Sequence, residues 1–538
     1  MKKLLILSCL GLCTILVACN VKYFENAEFD DIVFDPSIAV VFGELNYTVD
    51  ELFEQLNDAN AGVTSNDEGV VTIVYSEELQ SQSAQDFLQI QDQGFESSLP
   101  SGVDINNPGV STTVTVSESY EFDLVQRRGE RYDSIFFQSG LFDFSVESDF
   151  DAQIDFTATF TSLQEAGAPL TMSGTLTPGN NTFNDTESLS QYAGYFHLDS
   201  NGDAASNKFL VELTYDITIT PTTTVSSTDR IQYSIGINNT KFERVYGYLD
   251  SQELEVSFEI VNFDFFSQFF TGDITFTDPQ VNFVFNNSFG FPMSVDFQQI
   301  QASNEDGQTL SLQGDIITQL NEIAGPRVAN EGAIRETTIE MNKDNSNIVD
   351  MLNIQPDRIV VDVIAESNPD GVPFQYNFIN DASLLTVGVG IEIPFDMNID
   401  GLQAEESMSF TPPEDIDQAK RLMIRLASEN YIPLSGLVEI QFLNSNGDIV
   451  YSVDEQAAFE AAEVGTDGRT SLPANAVSDF VLEEDDIRAI TNASSINLVV
   501  TLTTTDADQG ASVKLFDDYE LKFKVSGQLD VEFNSSGN

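Results

Sequence analysis

The chain has 538 residues, with 22 Lys+Arg against 87 Asp+Glu, a net charge of −65, one histidine and no tryptophan. Its length predicts about three to five domains at roughly 100–200 residues each. An apolar fraction of 41% with 41 Phe and 15 Tyr supplies real cores and excludes disorder throughout. Nucleic acid is excluded as a partner, because such a polyanion would be repelled rather than gain counterion-release energy.

At the N-terminus, Lys2 and Lys3 precede an apolar run from Leu4 to Val17, then Ala18 and Cys19. A positive start and a short apolar stretch, below the ~20 residues of a membrane-spanning helix, predict a signal peptide. Leu16-Val17-Ala18-Cys19 resembles the lipobox of bacterial lipoproteins. That resemblance implies cleavage before Cys19, a diacylglyceryl thioether on its sulfur, and a membrane partner engaged through the lipid. Cys9 and Cys13 would leave with the signal peptide, so no disulfide is expected within a mature chain. Two or three acyl chains, at about 0.8 kcal/mol per buried methylene, suffice for stable anchoring. Asn20, Lys22, Glu25, Asp30 and Asp31 loosely resemble the charged tether of Bacteroidota-type surface lipoproteins, without their compact acidic pair beside a lysine. The expected location is therefore the outer membrane, with the leaflet undecided.

Along the chain, Thr48 and Glu51 form a capping box that predicts a helix through Leu52, Phe53 and Leu56. Thereafter period-two alternation dominates, the signature of half-buried strands. It runs through Ile154, Phe156, Ala158 and Phe160, through Val211 to Ile219, through Ile231 to Ile237, and through Leu254 to Ile260. Turn signals separate such runs at Asn66–Gly69, Asn304–Gly307 and Asn446–Asp448. Short helices are expected over Asp315–Ile323, Ser346–Leu352, Glu455–Ala462 and Glu483–Ile490. Alternation persists to Leu521, Phe523 and Val525, leaving only Asn534–Asn538 as an expected tail.

An internal repeat organises these runs. Val281–Asn287, Pro292, Met293–Ile300 and Gly307 parallel Leu422–Asn430, Pro433, Leu437–Leu443 and Gly447. A fainter copy passes through Phe142–Val146 and Ile154–Phe160 to Gly167, so the three glycines recur at equal intervals. Asparagine suits the turn because its side chain can bond its own backbone, and proline tolerates the first residue of a strand. This strand–Asn–x–Pro–strand grammar resembles the water-stress (WHy-type) sandwich of late-embryogenesis proteins. It is also similar to lipid-binding tubular modules of the bactericidal/permeability-increasing type. The predicted fold is mainly β: tandem antiparallel β-sandwich modules with a few short helices. The expected organisation is a signal peptide over 1–18, a tether with an N-terminal α+β region over 19–107, and modules over 108–250, 251–408 and 409–538.

Catalytic chemistry finds little footing. His197, in Tyr195-Phe196-His197-Leu198, reads as a structural residue at a strand end. The sequence has no Gly-x-Ser-x-Gly elbow and no Ser-x-x-Lys pair, and Gly388-Val389-Gly390 lacks the third glycine of a dinucleotide fingerprint. With no His pair and no mature Cys cluster, the usual zinc sites lack ligands. Asp199, Asn201 and Asp203 mimic the start of a calcium loop, but Ala204 and Leu210 stand where glycine and glutamate are needed, so a polar hairpin turn is expected, with an adventitious calcium site as the alternative. Glu483-Glu484-Asp485-Asp486 reads as the acidic first turn of a helix. Arg127, Arg128 and Arg131 read as a solvated turn paired with Glu130 and Asp133, or as a contact for phosphate or an acidic surface. A glycosidase needs two carboxylates, which 87 acids would supply by chance anywhere. No catalytic residue, metal ligand or cofactor is therefore assigned, and Cys19 alone is named as a modified site. The leading expectation is a non-catalytic interaction or scaffold module at the envelope, with a protein or glycan partner. The alternatives are a carrier of lipid or another hydrophobic ligand, with Phe263, Phe265, Phe266, Phe269 and Phe270 as its densest aromatic run, or a surface glycan-binding lipoprotein.

Overall fold

The computed structural model describes residues 33–34, 37–49, 61–261, 271–304, 306–371, 376–412, 416, 419–531 and 533–534. The signal peptide, Cys19, the helix expected through Leu52–Leu56 and the Phe263–Phe270 run lie outside the described residues.

The chain is mainly β, and all of its strand pairs are antiparallel among the described residues. Ahead of the first sandwich run β1 (Ser37–Thr48), β2 (Val71–Ser83) and β3 (Gln93–Pro100), with shorter strands at Val33–Phe34, Ala61–Ser65 and Ile105–Asn106. Seven then build a first sandwich: β4 (Thr112–Asp123), β5 (Arg131–Ser148), β6 (Gln153–Glu165), β7 (Ala168–Leu176), β8 (Thr182–Ser188), β9 (Lys208–Ile219) and β10 (Arg230–Tyr248). Seven more build a second: β11 (Glu253–Val261), β12 (Gln280–Asn287), β13 (Met293–Ser303), β14 (Thr309–Ser311), β15 (Arg335–Met341), β16 (Arg358–Ser367) and β17 (Leu384–Pro394). The third comprises β18 (Asp396–Ser409), β19 (Ala419–Asn430), β20 (Leu434–Leu443), β21 (Ile449–Phe459), β22 (Ala474–Glu483), β23 (Ser495–Thr504) and β24 (Glu520–Val531).

All three sandwiches share one pairing scheme. In the first, β4 pairs β9, which pairs β6, which pairs β7, while β10 pairs β5, which pairs β8. Adding seven to each label reproduces the second sandwich. Adding fourteen reproduces the third. Gly167, Gly307 and Gly447 occupy equivalent turns and all take positive φ, at 84°, 78° and 84°. Alternation explains the strands themselves: Phe209, Val211, Leu213, Tyr215, Ile217 and Ile219 on β9 are buried, as are Ile231, Tyr233, Ile235 and Ile237 on β10. In the interior, Phe142, Phe144, Phe156, Phe160 and Phe183 pack with ring centroids 4.6–6.3 Å apart.

The crossover between sheets explains the Asn-x-Pro grammar. Asn430 is fully buried; its Oδ1 accepts from the Ile432 amide at 2.9 Å, and its Nδ2 donates to the carbonyls of Ile432, Leu434 and Glu460 at 2.7–2.9 Å. Asn287 repeats this: Oδ1 accepts from Phe289 at 2.8 Å, and Nδ2 donates to Phe291 and Ala324 at 3.2 and 3.3 Å. In the first sandwich Ser148 takes the place, its hydroxyl accepting from the Phe150 amide at 3.1 Å. A strand leaving one sheet for the other must satisfy the backbone groups it frees, and these side chains do so.

Strands from the N-terminal α+β region are shared among the sandwiches. β1 pairs β24, β2 pairs β17 and β3 pairs β10, so each completes the same edge of the third, second and first sandwich in turn. The chain thus enters at the third sandwich, runs to the first, and builds its way back. β18 pairs β23, so the third sandwich takes over at Asp396 rather than after residue 408.

Helices are short. Among the described residues they are α1 (Ala84–Phe87), α2 (Asp315–Thr318), α3 (Ile348–Asn353) and α4 (Glu484–Ile490). The expected helix at Asp315–Ile323 is a single turn followed by a short strand at Asn321–Ile323. Glu455–Ala462 is corrected outright: residues through Phe459 belong to β21, because pairing with β20 places Ala457 opposite Leu437 and overrides the local preference of an alanine-rich segment. α4 begins, as its acidic run predicts, with a capping box between Glu483 and Asp486.

Candidate binding site

The residues singled out in sequence scatter. Asp199 Oδ1 accepts from the amides of Asn201 and Asp203 at 2.8 and 2.9 Å, which organises a hairpin turn and holds that carboxyl below its usual range. Asn66, Asn304 and Asn444 organise their turns in the same way. In the arginine turn, buried Glu130 accepts from the Arg128 backbone amide, while the Arg131 guanidinium stands 4.9 Å above the Tyr248 ring. Among the described residues no group of three or more His, Cys, Asp or Glu is placed to hold a metal ion.

A different feature does assemble: a row of rings on the outer face of the first sandwich. Four neighbouring strands carry it, namely a short strand at Ala193–Tyr195, β5, β10 and a short strand at Asn377–Asn380 contributed by the second sandwich. In order the rings are His197, Tyr195, Phe136, Tyr246 and Tyr376. Successive centroids lie 6.3, 6.3, 6.0 and 6.1 Å apart. Local register explains the contact. Ser134 stands opposite both Tyr195 and Tyr246, and its small side chain lets the Phe136 ring reach each of them diagonally.

The three rings on β10, β5 and beside Asn377–Asn380 are held by polar neighbours. The Arg244 guanidinium lies 4.6 Å above the Phe136 centroid. Tyr246 donates its hydroxyl to Glu331 at 2.6 Å, a bond that crosses from the first sandwich to the second. Burial, then Glu331, raises the Tyr246 phenol; burial, then Asp133, raises that of Tyr376. Both therefore stay protonated donors across the physiological range. Gln138 donates to Asp381 at 3.0 Å across the same junction. His197 and Tyr376 are exposed, the other three rings half-buried, and Asp133, Glu331 and Asp381 supply acceptors beside them. Chemically this is a corrugated aromatic surface with carboxylate acceptors, built from two modules, where binding sites concentrate.

The interior of the third sandwich, by contrast, is nearly filled. The third sandwich encloses a void of only about 10 Å³ among Leu422, Ile424, Ile440, Phe442, Val453, Phe480, Leu482 and Ile490. That is room for one water at most, and its lining is apolar.

No family model matches the chain, and no curated protein matches it. Among solved structures it is similar to a protein of Parabacteroides distasonis described as secreted, with 15% identity and a TM-score of 0.29 over 53% of this chain and 89% of that one. A particle derived from infectious bursal virus gives 10% identity and a TM-score of 0.14 over 81% of this chain and 72% of that one. Likeness at this level carries neither fold nor function to the present chain.

Proposed function

We propose that this chain is a lipid-anchored, non-catalytic binding protein of the bacterial outer membrane, tethered through Cys19 and engaging its partner with the aromatic row. The row carries the proposal, because its rings come from distant parts of the chain and Phe136, Tyr246 and Tyr376 are each held by a polar neighbour. Such rigidity lowers the entropic cost of binding. The Leu16–Cys19 lipobox supports the anchor. The strand order supports an orientation: β1 joins the third sandwich, so the tether meets the protein there, two sandwiches away from the one that bears most of the row. The nearly filled third interior favours engagement at the surface over carriage of a ligand inside.

Protease shaving of intact against lysed cells tests the location. Digestion on intact cells places the sandwiches outside, and protection until lysis places them in the periplasm. Metabolic labelling with a fatty acid that Cys19→Ala fails to abolish would overturn the anchor.

A further inference from the structure

We propose that the aromatic row binds a neutral polysaccharide chain; this deepens the binding function above and rests on it. The central strands beneath the row are paired on both sides, β5 between β10 and the Ala193–Tyr195 strand and β10 between β5 and the Asn377–Asn380 strand, while at the sheet edge Phe378 exchanges both backbone bonds with Gly290. A peptide adding itself as a strand would find no free backbone here. What the face offers is side-chain chemistry: ring surfaces for the C–H faces of sugar rings, and acceptors for their hydroxyls. Asp133, Glu331 and Asp381 supply those acceptors, and the bonds from Tyr246 and Gln138 each leave lone pairs free on Glu331 and Asp381.

Shape and charge narrow the ligand further. Four strands at about 4.8 Å spacing spread the row over roughly 14 Å, open along its length, which fits a chain lying across it rather than a small molecule enclosed by it. The chain's net charge of −65, together with the carboxylates beside the rings, disfavours an anionic polysaccharide. The charge of Arg244, which lies on the Phe136 ring, is already offset by Glu243 at 3.5 Å.

The test is affinity electrophoresis and calorimetry of the full-length acylated protein in detergent, against a soluble β-glucan, a xylan, a galactomannan and an α-mannan, with oligolysine as the cationic probe. At least one neutral glycan should bind with little dependence on salt, since no counterions are displaced. Tyr376→Ala and Tyr246→Ala should each weaken that binding about tenfold or more, corresponding to about 1.4 kcal/mol. Val477→Ala, on the third sandwich, should leave it unchanged. Tyr376 is 50% exposed, so its loss tests binding without threatening the fold. Failure of every glycan to bind overturns the inference. So does binding indifferent to the ring variants, and so does salt-suppressed binding of oligolysine alone. None of these outcomes affects the shaving or labelling result.

Discussion

The buried crossover residues allow a graded prediction. Replacing Asn430 with alanine removes one acceptor and three donated bonds from a fully buried site, leaving the Ile432 amide without its partner. The Ile432 carbonyl keeps a bond from the Ala462 amide, so its loss is partial. At about 1–3 kcal/mol per orphaned buried group, Asn430→Ala should cost about 3–4 kcal/mol. Asn287→Ala loses one acceptor and two longer bonds, for about 2–3 kcal/mol. Ser148→Ala loses a single bond, for about 1 kcal/mol. Asn430→Asp should exceed them all, because it turns a carboxylate oxygen toward three carbonyls. Urea titrations followed by far-UV circular dichroism and tyrosine fluorescence would rank the variants, each against the transition of its own sandwich. Equal costs across the three sites, or an inverted order, would refute the idea that these side chains satisfy the crossovers.

Other consequences follow from packing and charge. A Cβ at Gly174 would stand 2.9 Å from both Phe156 and Phe183, so Gly174→Ala should destabilise the first sandwich by about 1–3 kcal/mol in the same titration. Deleting residues 61–100 removes the partners of β17 and β10 and should yield oligomers by light scattering, whereas a monomeric product would contradict the strand assignment. Lys208 bonds Asp123 and Glu121 at 2.7 and 2.8 Å, and with the Ser200 amide it depresses the Glu121 carboxyl to about 2. Because the folded value lies below the unfolded one, this contribution, at most about 1 kcal/mol for so accessible a pair, is intact above about pH 4.5 and fades as pH falls toward 2. Glu121→Gln should therefore lose stability at neutral pH and show no difference from the parent below pH 2. Added salt should raise the melting temperature at neutral pH by screening a net charge of −65, and a fall would argue that ion pairs outweigh self-repulsion.

Much of the sandwich architecture was legible because alternation reports burial directly: the apolar faces of β6, β9 and β10 are the buried faces. Two copies of the crossover were legible because asparagine is the side chain that both accepts and donates at one site. The first copy looked faint because Ser148 performs only the accepting half and no proline follows. β1 could not be placed from its sequence. Val40 and Val41 are 46% and 81% exposed, and among its described side chains only Leu45 and Tyr47 pack on the core, so its apolar stripe is short and backbone bonds to β24 place the rest. The ring row was equally hidden. Its members lie on segments separated by tens to more than a hundred residues, and only the register of Ser134 with Tyr195 and Tyr246 brings them together. Ring residues at outward positions of several strands were the available signal, but alternation reads such positions simply as exposed.

The reversed strand order ties these features into one mechanical argument. A chain anchored at its N-terminus and folded as three independent beads in sequence would hold its first bead nearest the membrane. Here β1, β2 and β3 carry the chain past the third and second sandwiches before the first is built, so a tether at the N-terminus would attach at the third. Between Cys19 and Ser37 the chain can span at most about 60 Å even when fully extended, so reach beyond that must come from the sandwiches themselves. Each sandwich is also stapled to the N-terminal segment by a full strand, so tension applied at the N-terminus is borne by the short pairing of Val33–Phe34 with Phe533–Asn534 and then by β1 along nearly the whole of β24. A proline at Leu45, opposite Phe523 and in phase with the bond from the Val49 amide to the Tyr519 carbonyl, removes one backbone donor to β24 and clashes with strand geometry. Pulled by its N-terminus in a force spectrometer, the Leu45→Pro protein should release β1 at lower force than the parent while the extension assigned to the first sandwich stays the same. A lowered rupture force for the first sandwich instead would mean that load bypasses β1, and the tether would then have to meet the protein elsewhere.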